Sequence, residues 1–219
     1  IDRSRGLGDV YKRQVSILDE NFFKNSKEIF LGDVLSSNSN SINFFQSGGY
    51  GTSSAIQLRG LPKRYSTVYI DGVKMSDPSS VSNDFDFNHI LTSQISRVEI
   101  LRGNQSSVYG SGAIGGTINI FTKQPEEGFH KDFQYKTGSN GLQNFVGSIS
   151  GANENNSFYF GLERFHTDGI SSMMHNDEND RYRNNSLVGK YDYKFTNNLK
   201  FKSNLRSVSY THLRAHETD

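Results

Sequence analysis

The sequence predicts two parts of different fold class, a small α+β unit followed by a run of amphipathic antiparallel strands. Three observations predict it. Two apolar runs, Val98–Leu101 and Thr117–Phe121, enclose five glycines at 103, 110, 112, 115 and 116 and read as buried strands. From Phe129 onward the apolar residues recur with a period of two. No run of about eighteen apolar residues occurs, so no stretch suits a membrane-crossing helix. Hydrophobic content is only 33%, against 12% aromatic residues. So polar a chain can be disordered, but alternating aromatics argue for strands with one wet face.

The first part divides as follows. Ser26–Leu35 predicts a short helix, capped by Asn25 or Ser26, with Ile29, Phe30 and Val34 on its apolar side. The serine-rich run Ser36–Ser41 reads as a linker and Ile42–Phe45 as a strand. Gln46–Ser54 is a small-residue loop with one aromatic, Tyr50, which offers a flat amphipathic face. A flexible connector has the same composition. Ile56–Leu58 is a strand ending in Arg59-Gly60, and Val68–Ile70 one closed by the turn pair Asp71-Gly72. Ser76–Asp86 is a long polar loop. Phe85, Phe87, Ile90, Leu91 and Ile95 form an apolar cluster that covers the sheet. Arg97–Leu101 leads to Arg102-Gly103. The glycines that follow require positive φ, or backbone packed on backbone. They are not a phosphate loop, because no Lys-Ser/Thr follows and no G-x-G-x-x-G opens a helix.

In the second part, Phe129, Phe133 and Tyr135 alternate with His130, Asp132, Gln134 and Lys136. The same two-residue period runs through Phe145–Ser150, Phe158–Glu163, Leu187–Phe195 and Leu199–Arg206. Membrane barrels need an apolar outside and a wet inside, although a soluble antiparallel sheet alternates likewise. Links at Gly138–Leu142, Gly151–Asn156 and Thr196–Asn198 are short, whereas Thr167–Asn185 is long. Short turns on one side and long outer loops on the other are the habit of such barrels.

The segments RVEILRG, SSVYGSGAIGG and TINIFTK, preceded by IQLRG (Ile56–Gly60) and VYIDGV (Val68–Val73), resemble the plug signature of TonB-dependent outer-membrane receptors. The likeness covers about Ser26 to Phe201 and is closest to the vitamin B12 (cobalamin) receptor branch. It implies an α+β plug domain, a small mixed sheet with short helices, over residues 15–127. Antiparallel strands of a truncated transmembrane β-barrel, about five of them, follow over 128–207. It further implies an outer-membrane location in a Gram-negative bacterium, with outer-membrane lipid around the strands. TonB would be the energising partner, and the substrate a corrinoid or metal chelate too large for porins. A ferric siderophore is the alternative substrate. A surface adhesion module without transport is the alternative of another class.

The resemblance also assigns residues. Plug apex loops would touch substrate through Gln46, Tyr50, Ser53, Ser54, Ser76, Asp77, Ser79 and Asn83. Arg59 and Arg102 each follow a β-run and precede a glycine. In the family such arginines seat the plug on barrel glutamates, a task that suits a planar, permanently charged fork. Glu99 is the local carboxylate that could serve instead. In the long link, Asp168, Asp177, Glu178 and Asp180 supply oxygen ligands of the kind Ca²⁺ takes, and the cobalamin branch carries calcium-ordered outer loops. The spacing is not an EF-hand, and a solvated acidic loop has the same composition. No other cofactor is expected.

The ends stand apart. One DNA strand can encode SRGLGDVYKRQ (4–14), and its reverse complement in a shifted frame then reads VSYTHLRAHE followed by Thr (208–218). This resembles a transposon-type sequencing adaptor, so residues 1–14 and 208–219 are expected to be non-native and without defined structure. Without Arg3, Arg5, Lys12, Arg13 and Arg214 the basic count falls from 24 to 19. Without Asp2, Asp9, Glu217 and Asp219 the acidic count falls from 23 to 19. The remainder is neutral, which gives no electrostatic case for nucleic acid. Zero cysteines exclude thiolate metal sites and cysteine nucleophiles. No HExxH and no nucleophile elbow is present, so catalysis is not expected.

Overall fold

A computed structural model describes residues 15–39, 41–77, 85–170 and 179–212. The chain forms two compact units, one of residues up to 45 with 54–122, the other of residues 46–53 with those from 123 onward.

The first unit carries β1 (Val15–Leu18), α1 (Glu20–Asn25), α2 (Leu31–Ser37), β2 (Ile42–Gln46), β3 (Ser54–Leu58), β4 (Ser66–Ile70), β5 (Val73–Met75), β6 (Ile95–Arg102), α3 (Ser106–Tyr109) and β7 (Gly116–Thr122). Its main sheet has the order β1-β6-β7-β4-β5, and β2 pairs with β3 separately. The β4–β7 pair is parallel and its neighbours antiparallel, so the sheet is mixed. Register explains the core. Ile118 and Ile120 lie opposite Ile100 and Val98 on one side and Val68 and Ile70 on the other, and all six are buried. Leu31 and Leu35 of α2 and the expected cover residues Phe87 and Ile90 join the same cluster.

The glycine-rich connection meets both demands made of it. Gly103 and Gly110 have φ of 92° and 87°. Gly116 has φ of 146°, and a Cβ there would lie 2.4 Å from the Leu101 carbonyl oxygen. At the other end of the sheet Asp71 turns the chain with φ of 48°. Its carboxylate accepts from the Thr122 amide at 3.0 Å and from the Thr122 hydroxyl, and its own amide donates to Ile120 O at 2.9 Å. The turn pair therefore also clamps the end of β7.

Several expectations are corrected. The helix expected over Ser26–Leu35 begins only at Leu31: residues 26–30 are not helical, and a separate helix, α1, precedes them. Leu31 N donates to Ile90 O and Thr92 N to Ile29 O, each at 2.9 Å, and Phe30 bridges Leu91. These sheet-like bonds hold Ile29 and Phe30 out of a helix. Neither Asn25 nor Ser26 caps α2, whose N-cap position is Phe30 without a side-chain bond. Asp19 Oδ1 caps α1 by accepting from Phe22 N, and Ser26 ends α1. Ser36 and Ser37 complete α2 rather than a linker. One helical turn, α3, lies within the glycine-rich connection. Val208–His212 continues a strand paired with Tyr182–Ser186. Its alternating, β-branched and aromatic sequence suits the ladder offered to it.

The second unit is a meander of β8 (Gly128–Thr137), β9 (Gln143–Ala152), β10 (Asn156–Thr167), β11 (Tyr182–Thr196) and β12 (Leu199–His212). These five match the expected strands, at 10 to 15 residues each. A tilted strand of about 9–11 residues spans a bilayer. One face of the strands leaves large apolar side chains exposed, and the other, covered along β9–β11, buries polar residues beside Val146, Tyr159, Phe165, Tyr182 and Val188. Phe129, Phe133, Phe160, Leu162, Tyr191, Phe201 and Leu205 are exposed, while Asn144, Ser150, Glu163, Ser186 and Lys190 on the other face are buried. Glu163 accepts from Asn144 Nδ2 at 3.0 Å. An apolar outside and a polar inside are the pattern of membrane barrel strands.

Gly116→Ala should prevent the first unit from forming, because backbone would have to move. Gly60→Ala, where a Cβ meets nothing within 4 Å, should cost only about 1–2 kcal/mol for its left-handed backbone. Denaturant titration of the two variants checks this. Leu162→Arg, on the exposed face, should destabilise folding of the full-length protein into lipid by about 2–4 kcal/mol.

Candidate functional site

The loop between β2 and β3 is a closed hairpin tip. Gln46 Nε2 donates to Gly49 O at 2.7 Å, and the Thr52 hydroxyl to the same oxygen at 2.9 Å. Ser53 O accepts from Ser47 N at 3.1 Å and Ser47 Oγ at 2.8 Å. Tyr50 is 39% exposed. Its ring meets Phe165 edge-on at 5.6 Å and lies 6.5 Å from Tyr182. Phe165 and Tyr182 are fully buried and 6.0 Å apart. They stand where β10 ends and β11 begins. Sequence reasoning found Tyr50 but neither partner, although aromatics flanking a long link were a signal available to it.

The same end of the second sheet gathers the β8–β9 turn and the start of the β10–β11 connection. Asn140 O accepts from Asp168 N at 2.8 Å and from the Thr167 hydroxyl at 3.0 Å. The 138–142 turn and the 168–181 connection are thus tied together. Asp168 faces Arg181 Nε at 3.7 Å and His166 Nε2 at 3.4 Å. Asp180 presents its backbone oxygen toward Gly169. Among the described residues no three metal-binding side chains come together. Asp177 and Glu178 lie outside the described residues.

Within the first unit, Ser54 and Asp86 form a brace. The Ser54 hydroxyl donates to Asp86 Oδ1, and the Ser54 amide approaches Oδ2 at 3.4 Å. Phe87 N donates to Ser54 Oγ at 3.1 Å, and Asn88 N to Asp86 Oδ1 at 3.1 Å. Ser54 is 2% exposed. Ser53 and Ser76 are exposed and Asp77 is half-buried. Ser79 and Asn83 lie outside the described residues.

The two Arg-Gly sequences meet at Ser41. Arg102 Nε donates to Ser41 Oγ at 2.5 Å, and its Nη2 to Ser16 Oγ at 2.7 Å and Ser39 Oγ at 3.1 Å. Arg59 N donates to Ser41 O at 2.8 Å. The Arg59 side chain is exposed, and its Nη1 lies 3.9 Å from where a Cβ on Gly103 would be. Their backbones differ: Arg59 itself is left-handed at φ 55°, whereas at the second site only Gly103 is. Glu99 is engaged by Arg97 at 3.1 Å.

Residues 11–117 match the family model described as the TonB-dependent receptor plug domain. The chain belongs to the TonB-dependent receptor family. Over 148 residues, 66% of the chain, it is 32% identical to a vitamin B12 transporter, BtuB, of Photobacterium profundum, covering 24% of that protein. Solved receptors share the fold. The siderophore receptor PirA of Acinetobacter baumannii superposes with a TM-score of 0.72 at 17% identity, over 91% of this chain and 32% of that one. The ferric yersiniabactin uptake receptor FyuA of Yersinia pestis gives 0.63 at 22% identity, over 82% and 28%. The chain thus spans about a quarter to a third of these receptors. Its first unit is the plug domain, and its second consists of strands like those that begin the barrel of a TonB-dependent receptor.

Replacing Tyr50 with alanine removes its aromatic contacts, worth about 0.5–1.5 kcal/mol for a pair. Amide hydrogen exchange of residues 47–52 should then quicken by roughly two- to tenfold, while exchange in β6 and β7 stays unchanged.

Proposed function

We propose that the full-length protein is an outer-membrane receptor for TonB-dependent uptake of a large, scarce nutrient, cobalamin first among the candidates. The observation that carries the membrane part is the row of exposed aromatic and aliphatic side chains along β8–β12, following a plug domain in the chain. The likeness to a vitamin B12 transporter over two thirds of the chain favours a corrinoid. A ferric siderophore is the second reading, favoured by the receptors that share the fold. Substrate would meet the hairpin tip around Gln46 and Tyr50, with Ser53, Ser76, Asp77, Ser79 and Asn83 as further candidates. Arg59 and Arg102 would seat the plug, Arg102 held in place by Ser16, Ser39 and Ser41. TonB would act on the segment N-terminal to the plug and supply the energy of the inner-membrane proton gradient. No step calls for catalysis. Calcium at the 168–181 connection belongs to the same proposal, with Asp168, Asp177, Glu178 and Asp180 as its carboxylates.

Binding of cyanocobalamin and of ferric enterobactin to the full-length receptor separates the two substrates. The preferred one should be taken up by cells only when TonB is present, with surface binding unaffected by its loss. Binding without TonB-dependent uptake would point to an adhesion or interaction role. Chelation should weaken binding if calcium orders the outer connection, and added calcium should restore it.

A further inference from the structure

Two arginines interrupt the apolar outward face of the second sheet near one end. The register places Arg164 between Phe145 on β9 and Asn185 on β11, and Arg183 opposite His166, diagonal to Arg164. Diagonal neighbours across two strands stand about 7–8 Å apart. Both arginines are exposed. Among the described residues neither guanidinium has an ion pair or hydrogen bond, whereas Asp168 already faces Arg181 and His166. The outward positions of β8–β11 hold Lys131, Arg164, His166 and Arg183 but neither Asp nor Glu. The carboxylates of these strands, on Asp132, Glu163 and Asp192, belong to the opposite face.

A groove of about 780 Å³ crosses the strands at Arg164. Tyr135, Phe145, Leu162 and Leu187 give it an apolar lining, and Gln143, Arg164 and Asn185 a polar one. Leu162 lies two residues before Arg164, roughly 7 Å along the strand. The apolar face therefore ends at the arginine, on the side of the long 168–181 connection. Long connections of membrane barrels are external, so headgroups of the outer leaflet lie at that height. An arginine with no carboxylate beside it suits a phosphate, which its planar fork holds through two bonds. The apolar lining suits a hydrocarbon chain.

We propose that this groove holds one anionic, phosphate-bearing lipid of the outer leaflet. Its phosphate rests on Arg164 and Arg183, and an acyl chain runs along Leu162 and Leu187. The site rests on the membrane reading of the second unit, which insertion tests by itself. The full-length receptor is folded into phosphatidylcholine vesicles, and insertion is read from protection against protease. Native mass spectrometry in detergent then gives the half-saturation concentration for the first lipid A molecule bound. Arg164→Gln and Arg183→Gln should each raise it roughly tenfold. Arg164→Lys, which keeps the charge without the fork, should raise it less. Lys131→Gln removes an outward cation that does not line the groove and should leave it unchanged. Phosphatidylcholine, neutral overall, should bind roughly tenfold more weakly than lipid A, and excess inorganic phosphate should not displace lipid A.

Unchanged lipid A binding in both glutamine variants overturns the site and leaves the membrane reading standing. An equal loss in Lys131→Gln overturns it too, because the attraction would then belong to the whole face. Phosphatidylcholine binding as tightly as lipid A overturns the choice of an anionic lipid, and displacement by inorganic phosphate overturns the role of the chain. A full-length receptor that does not insert overturns the membrane reading and the site together.

Discussion

The Leu101 carbonyl oxygen occupies the space that a side chain on residue 116 would need. That close approach sets the start of β7 against the end of β6 and with it the register of the whole first sheet. Arg102 falls opposite Gly116, and Val98 opposite Ile120. A slip of one residue would turn every apolar side chain to the wrong face. The parallel partner β4 reads the same register from the other side, and the Asp71 turn closes it at Thr122. Arg102 stands at the end of β6 because of this register. It is there that its guanidinium can reach serines from β1 and from the approach to β2.

The second unit carries the side-chain pattern of a sheet suited to a different solvent. Its strands obey the same alternation as any half-buried sheet, but the exposed side is the apolar one, and the covered side mixes Asn144, Glu163, Ser186 and Lys190 with Val146, Tyr159, Phe165 and Val188. Water does not favour the twelve large apolar or aromatic side chains exposed on these strands, whereas a hydrocarbon environment would. Such an environment forces each backbone amide and carbonyl to find a neighbouring strand, and the unbroken registers of β8 to β11 meet that demand. A buried carboxylate such as Glu163 is tolerated on the inner side because Asn144 donates to it.

Small hydroxyl residues carry more of this structure than their composition suggests. Ser16, Ser39 and Ser41 hold one arginine, and Ser54 holds one aspartate. A serine-rich stretch reads as a connector because it lacks apolar residues to pack and hydroxyls favour turns. Its partners here lie 61 to 86 positions away for Arg102 and 32 for Asp86. No local pattern encodes such distances. Phe165 and Tyr182 escaped for the same reason, since their contact with Tyr50 crosses more than a hundred residues of chain.

The sequence by itself determined the elements whose signal is local and periodic. Those are the two buried strands around the glycines, the Asp71-Gly72 turn, the five alternating ribbons and the Tyr50 loop. Repeating side-chain patterns and backbone needs at single residues are sufficient to specify them. Only the tertiary structure decided the break between α1 and α2, where bonds to residues 90–92 outcompete helix continuation. It alone decided which face of the ribbons is covered, because alternation is the same whichever side meets solvent. It alone joined Arg59 with Arg102 at Ser41 and Ser54 with Asp86, because hydrogen bonds between distant segments form only once the core has fixed where those segments lie.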